Sequence, residues 1–141
     1  MTEFLNADDE AQALEDLHSR GCTDGLPVVI PTRERVKRMV LASGQDADMV
    51  LGTMGPGHGI ATIENVAIAA VMAGCLPDYM PVVVAAVKAV IDPAFDLTEM
   101  QATTHCTAPL VIVNGPARNS CGPIASGTGA LGPGPVSYTH L

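Results

Sequence analysis

The sequence predicts an α/β domain in which an apolar helical hairpin packs on a small mixed or parallel sheet. Residues 110–113 form a continuous β-branched run that is typical of a strand buried on both faces, and residues 49–54 are predicted to form a second strand. Between them, residues 62–91 form two apolar stretches with helical spacing. Strands that alternate with such helices favour this fold class. The length of 141 residues is that of one domain.

The charge balance excludes several classes of partner. With a net charge of −8 and only seven Lys and Arg residues, the chain is not expected to bind nucleic acid or an anionic membrane. Its longest apolar run, residues 66–77, is about half of the ~20 residues that a membrane span needs. No basic segment followed by an apolar stretch begins the chain, so a cytoplasmic location is expected.

The four cysteines are predicted to be free thiols. They are widely spaced and form no C-x-x-C motif, which in a reducing compartment argues against a disulfide framework. These residues are Cys22, Cys75, Cys106 and Cys121.

The first half of the chain shows clear helix limits. Asn6 is predicted to cap an acidic helix that ends at Gly21, and Thr32 to cap a second helix that ends near Gly44. Residues 49–54 then run into a loop that carries three glycines, and a helix begins near Thr62.

The order of strand, glycine loop and helix start presents backbone N–H groups to an anion. We therefore predict that Gly55, Gly57 and Gly59 bind a ligand. A plain structural loop is the alternative, because Ile60 stands where the dinucleotide fingerprint requires a third glycine or alanine.

The two apolar helices between residues 62 and 91 are predicted to lie in the core. Pro77 separates them, Asp78 is expected to cap the second helix with Pro81 in its first turn, and Asp92 precedes the proline that ends it. The first helix is apolar on nearly all faces, so it is expected to be buried on most sides.

A second glycine-rich loop follows the predicted strand at residues 110–113. Loops that leave such strands are where open α/β sheets bind their ligands, so Asn114, Ser126, Gly127 and Gly129 are predicted to contact one. Residues 127–132 spell G-x-G-x-x-G, but no helix visibly follows. A structural loop is again the alternative.

Five side chains are candidates for catalysis. His105 is predicted to be the general acid or base, Cys75 or Cys121 the nucleophile or redox thiol, and Glu64 or His58 an auxiliary proton donor. The alternatives are a structural histidine bonded to the backbone, a buried thiol and a carboxylate that stabilises a helix start. Metal binding is a minor alternative, because no two of the Cys and His residues have the short spacing of metal fingers.

Four motifs carry a resemblance to a known family. They are DGLPVV at residues 24–29, MAGCLPDYMPV at 72–82, QATTH at 101–105 and PLVIVNGP at 109–116. The chain resembles a poorly characterised group of longer bacterial proteins that are sometimes labelled thioredoxin-like or associated with small UGSC-type (seleno)proteins. The resemblance implies a further C-terminal part, a thiol or redox setting and a small (seleno)protein partner, and it assigns no catalytic residue. The absence of C-x-x-C argues against thioredoxin chemistry itself.

The last seven residues are not expected to belong to the native protein. PVSYTHL at residues 135–141 resembles the in-frame translation of the transposon end used in sequencing libraries. We therefore expect residues 1–134 to be a single α/β domain that forms the N-terminal part of a longer protein.

These observations predict an enzyme, thiol-dependent or redox, that acts on a small anionic or carbonyl-bearing molecule held by the two glycine loops. A non-catalytic ligand-binding or partner subunit that uses the same loops is the alternative. The sequence identifies neither a cofactor nor an oligomeric state.

Overall fold

The computed structural model of the protein describes residues 4–23 and 25–121. Helices and strands follow one another as α1 Glu10–Ser19, α2 Arg33–Ser43, β1 Val50–Met54, β2 Gly59–Thr62, α3 Ile63–Met72, a 3-10 helix Pro77–Tyr79, α4 Met80–Val90, α5 Leu97–Ala102 and α6 Ala117–Ser120. Helices and a small sheet occur together, as predicted. In the part of the chain that the structure describes, no helix is both long and apolar enough to cross a membrane.

Helices α2, α3 and α4 form the core. The three largest fully buried side chains, Met39, Ile63 and Met80, come one from each of these helices. Around them pack Val36, Val66, Ala67, Ala70, Val71 and Val84. All nine side chains are apolar, so burial removes hydrocarbon from water without leaving a polar group unpaired.

The predicted limits hold for α2 and for the end of α1 before Gly21, which has a φ of 68°, but the predicted start of α1 is wrong. The Thr32 hydroxyl accepts a hydrogen bond from the Arg35 N–H at 3.3 Å, and Gly44 ends α2 with a φ of 67°. At α1, Asp9 and not Asn6 is the cap, because its carboxylate accepts the Gln12 N–H at 2.8 Å. Both residue types cap helices well, so composition did not separate them.

The sheet differs from the one predicted. β1 confirms the strand expected at residues 49–54, but it pairs with β2 in an antiparallel hairpin, not in a parallel or mixed sheet. The short turn that carries His58 at a φ of 53° reverses the chain. β2 then places exposed Ile60 opposite Thr53 and buried Ala61 opposite Gly52. The glycine loop is therefore a hairpin turn.

Helices α3 and α4 occupy the two predicted apolar stretches. Thr62 caps α3 through a hydrogen bond from the Asn65 N–H at 3.1 Å. Asp78 lies within the 3-10 helix and does not cap α4, whereas Pro81 does lie in the first turn of α4. The two helices share their core with α2, a third member that the sequence analysis did not include.

The prediction of a buried strand at residues 110–113 is wrong. These residues belong to no strand, and Leu110, Val111 and Ile112 are 65%, 56% and 71% exposed. A β-branched composition favours a pleated, half-buried surface but does not supply a neighbouring strand. Among the described residues, none pairs with this segment.

Candidate ligand-binding groove

Helix α1 stands apart from the core and forms the wall of a groove. None of its residues is fully buried, and its apolar side chains Ala13 and Leu17 are only half-buried. Between α1, residues 30–32, α2 and α3 lies a cavity of about 1010 Å³. This volume is at the upper end of the roughly 300–1,000 Å³ that is usual for small-molecule sites.

The lining of the groove is largely apolar. Hydrocarbon side chains from all of its walls face it: Leu5, Ala13, Leu17, Ile30, Val36, Val40, Leu41, Ile68 and Met72. Several of them are held in place because their helices pack into the α2–α3–α4 core on the other side. An apolar molecule in this groove would be removed from water by a preformed surface.

Cations are concentrated along the groove. Arg20, Arg33, Arg35 and Lys37, four of the seven Lys and Arg residues of the chain, line it. The guanidinium carbon of Arg33 lies 3.6 Å from the centroid of the Phe4 ring, within the range of a cation–π contact. Arg35 donates a hydrogen bond from Nη1 to the Ile30 carbonyl oxygen at 2.9 Å.

Three carboxylates also line the groove, and all three lie at helix starts. Asp9 caps α1, Glu10 lies in the first turn of α1, and Glu64 lies in the first turn of α3. The positive end of each helix dipole stabilises a carboxylate in this position. Four cations and three such carboxylates make the groove far less acidic than the chain as a whole, whose net charge is −8.

The glycine loop does not have the arrangement predicted for an anion site. Strand β2 separates it from α3, and the first three N–H groups of α3 already donate to protein oxygens. The donor–acceptor pairs are Ile63 to the Met49 carbonyl (3.0 Å), Glu64 to the Ala47 carbonyl (2.9 Å) and Asn65 to the Thr62 hydroxyl (3.1 Å). A helix start binds anions through unpaired N–H groups, and α3 has used most of its own.

The three glycines at the hairpin turn and the start of β2 have different surroundings. A Cβ at Gly55 would collide with the Thr98 side chain of α5, so this glycine permits a close contact. A Cβ at Gly57 or Gly59 would meet no atom within 4 Å. Gly55 therefore serves packing in this structure, and the proposed ligand contacts of the three glycines stay predictions.

Among the described residues, no hydrogen bond links the predicted catalytic side chains to one another. His58 lies in the hairpin turn and His105 on an exposed stretch after α5, whereas Cys121 is buried at the end of α6. Within the described ranges no hydrogen bond joins these residues or Cys75 to one another, and no group of three Cys, His, Asp or Glu side chains could hold a metal. Of the five candidates, only Glu64 lines the groove.

His105 and Cys75 each have a structural explanation. The ring Nδ1 of His105 lies 3.2 Å from the Thr103 hydroxyl, which also accepts the His105 backbone N–H at 3.2 Å. Burial raises the pKa of the Cys75 thiol above its ordinary value of 9.0. A raised pKa disfavours the thiolate, which is the reactive form.

The remaining predicted contacts lie at the end of the described chain or beyond it. Asn114 is exposed, directly after the 110–113 segment. Ser126, Gly127 and Gly129 lie outside the described residues.

Comparison of the chain with models of protein families, with curated protein sequences and with solved structures finds no match. The family resemblance stated from the four motifs therefore stays a prediction.

Sequence reasoning missed the groove, although one signal pointed to it. Four cations, Arg33, Arg35, Lys37 and Arg38, fall within six consecutive residues of a strongly acidic chain. Such a charge asymmetry is a reason to look for an anionic partner. The wall formed by α1 could not be found in this way, because it depends on how α1 stands against the core.

Proposed function

We propose that the protein is a ligand-binding domain that holds a small amphipathic anion in the groove between α1, α2 and α3. Such a molecule has an apolar body and one carboxylate or phosphate group. The observation that supports this proposal is the pairing of an apolar lining with four of the seven cations of an acidic chain. The sequence suggested, as an alternative, a ligand-binding subunit that uses its glycine loops. In this proposal the groove, and not those loops, binds the ligand.

Two of the cations are available for the anionic group. Within the described ranges, neither Arg33 nor Lys37 forms an ion pair with a carboxylate. The contact with Phe4 orients the Arg33 guanidinium, whose planar fork matches the geometry of a carboxylate or phosphate. Lys37 supplies a second positive charge from the same helix, α2.

Binding without catalysis fits the site better than the predicted enzyme does. A general base or a nucleophile must lie within hydrogen-bond reach of the reacting atoms. Glu64 is the one predicted catalytic residue in the groove lining, and the protonated form that burial favours at Cys75 is a poor nucleophile. Enzymatic action through His105 stays a prediction without a geometric argument.

The proposal is tested with octanoate and octanol, which share an apolar body and differ in charge. Calorimetry should detect octanoate binding, and amide chemical shifts should change in α1, α2 and α3. Octanol should bind more weakly, because it lacks the charged hydrogen-bond acceptor. A hydrogen bond to a charged group contributes about 1.5–3 kcal/mol, so the difference should be about tenfold or more.

Matched substitutions locate the anionic group. Arg33→Gln and Lys37→Gln should each weaken octanoate binding and leave octanol binding unchanged. Arg38→Gln is the control, because Arg38 lies on the same helix but does not line the groove. Equal losses from all three substitutions, or shifts confined to the hairpin turn, would overturn the proposal.

A further inference from the structure

The 110–113 segment (Leu110, Val111, Ile112 and Val113) is apolar and largely exposed, and it pairs with no described strand. In the part of the chain that the structure describes, no main-chain N–H or C=O group of residues 108–114 makes a hydrogen bond. Three consecutive large apolar side chains in this segment are more than half exposed. Isolated exposed apolar residues are ordinary, but a contiguous run with an unpaired backbone is typical of an interaction segment.

Strand β1 offers a surface that is complementary to this segment. Among the described residues the sheet has two strands, so one edge of β1 has no neighbouring strand. Next to β1 lies a cavity of about 350 Å³ that it shares with the end of α4. The cavity is lined by Met49, Val50, Leu51, Lys88, Ile91 and Asp92. Met49 and Val50 are exposed there, at 43% and 59%.

A strand edge that no described strand covers, beside a cavity lined by four apolar and two charged residues, is an arrangement that can accept an added strand. The main chain of the added strand completes the ladder, and alternate side chains enter the cavity. The 110–113 segment has the composition that such a strand needs, since β-branched residues fit a pleated surface. Neither Gly nor Pro interrupts its four residues.

We propose that two copies of this chain exchange these elements. The 110–113 segment of each copy pairs with the open edge of β1 in the other copy, and its alternate side chains fill the cavity between β1 and α4. The same chain carries both the donor segment and the acceptor edge, and no described residue of one copy pairs with either of them. A reciprocal exchange about a twofold axis satisfies both at once, as closed dimers require.

The first test is the mass of the full 141-residue chain in solution. Light scattering after gel filtration should give twice the monomer mass of 14.5 kDa, with a monomer appearing on dilution. Ile112→Lys in the donor segment and Val50→Lys at the acceptor edge should each weaken the dimer by about tenfold or more, because a charge on an apolar contact surface disfavours strand addition.

Leu76→Lys is the matched control. Leu76 is 58% exposed, belongs to neither element and does not line the cavity, and the substitution introduces the same charge. It should leave the dimer unchanged. Because Val50 and Ile112 are exposed within one copy, all three variants should keep the circular dichroism spectrum of the parent chain. A monomer at all concentrations, or equal weakening by Leu76→Lys, overturns the proposal.

The second test identifies the contact itself. A photo-reactive benzoylphenylalanine replaces Val111 in an unlabelled chain, which is mixed with a nitrogen-15-labelled parent chain before irradiation. Cross-links from the unlabelled to the labelled chain should map to residues 49–51 or to Ile91. Cross-links within a single chain, cross-links to other parts of the labelled chain, or larger aggregates in place of a dimer count against the exchange.

Discussion

Two apolar parts of the chain differ in how far they are buried. Helix α3 and the 110–113 segment are both short runs dominated by Val, Ile, Leu and Ala. In α3 five residues are buried, whereas Leu110, Val111 and Ile112 are all exposed. The difference lies in the partners: α2 and α4 cover α3, and no described element covers the segment. A helix satisfies its own backbone and needs only apolar neighbours, but a strand needs another strand.

The largest expected effect comes from replacing one isoleucine by alanine in each of the two regions. Ile63→Ala should lower the free energy of unfolding by about 2–5 kcal/mol, because Ile63 is 0% exposed and its truncation leaves a cavity among α2, α3 and α4. Ile112→Ala, at 71% exposure, should change it by less than about 0.5 kcal/mol in dilute protein. Urea unfolding followed by circular dichroism measures both.

If Ile112→Ala destabilises the protein more than expected, Ile112 is buried either between two copies or within one chain. The dependence of the effect on protein concentration distinguishes these two explanations. A cost that appears only in concentrated protein would support the exchange between two copies, because assembly stabilises the folded form by mass action. A cost that is equal at all concentrations would show that a single chain buries Ile112, and the contrast between the two regions would not stand.

A smaller effect is expected where α5 contacts the turn between β1 and β2. Gly55→Ala should destabilise the protein by about 1–3 kcal/mol, because the new methyl group collides with Thr98 and pushes α5 away from the hairpin. Gly57→Ala is the control in the same turn, since nothing lies near its Cβ position. It should be neutral, or stabilising by up to about 1 kcal/mol through the unfolded chain.

These two variants also separate packing from ligand binding at the turn. If the glycines bound phosphate through their N–H groups, phosphate would shift the amide signals of residues 55–59, and both variants would weaken that response. We expect no such shifts, because the neighbouring helix start has paired its N–H groups. Phosphate-dependent shifts at these amides would restore the original prediction.

The sequence predicted those elements whose limits depend on local chemistry. Thr32 and Gly44 bound α2 as expected, because a hydroxyl cap and a glycine at positive φ act within one turn of helix. The hairpin was missed because β2 is four residues long and two of them, Gly59 and Ala61, are poor strand formers. Its pairing depends on β1, which no local pattern records.

The candidate site was predicted less well than the fold. A glycine loop before a helix predicts an anion site only if the N–H groups of the helix start are free. Here Ala47 and Met49 accept two of those N–H groups, and they lie well before the helix in the sequence although close to it in space. The groove requires α1 to stand away from α2, a tertiary arrangement that hydrophobic periodicity does not encode. The local cluster of cations from Arg33 to Arg38 was the accessible signal.

The smallest expected effect compares one thiol from each region. Cys75 packs against the core and burial raises its pKa above 9.0, whereas Cys106 is exposed in the C-terminal stretch. Cys106 should therefore react faster with a thiol reagent at neutral pH, since it is accessible, whereas burial shields Cys75 and disfavours its thiolate. Peptide mapping after brief labelling measures the two rates. Equal rates would show that the end of α3 opens readily in solution.

The raised pKa of Cys75 also makes the free energy of unfolding depend on pH, and the sign of that dependence follows from the direction of the shift. Above about pH 9 the unfolded chain loses the Cys75 proton while the folded chain keeps it, because the folded pKa is the higher one. The unfolded state then binds fewer protons, so the free energy of unfolding falls as pH rises towards the folded pKa. Cys75→Ser should reduce this fall, whereas Cys106→Ser, which leaves the Cys75 thiol in place, should retain it. Urea midpoints measured on both sides of pH 9 provide the comparison, and identical pH profiles for the two variants would show that burial of Cys75 has no energetic consequence.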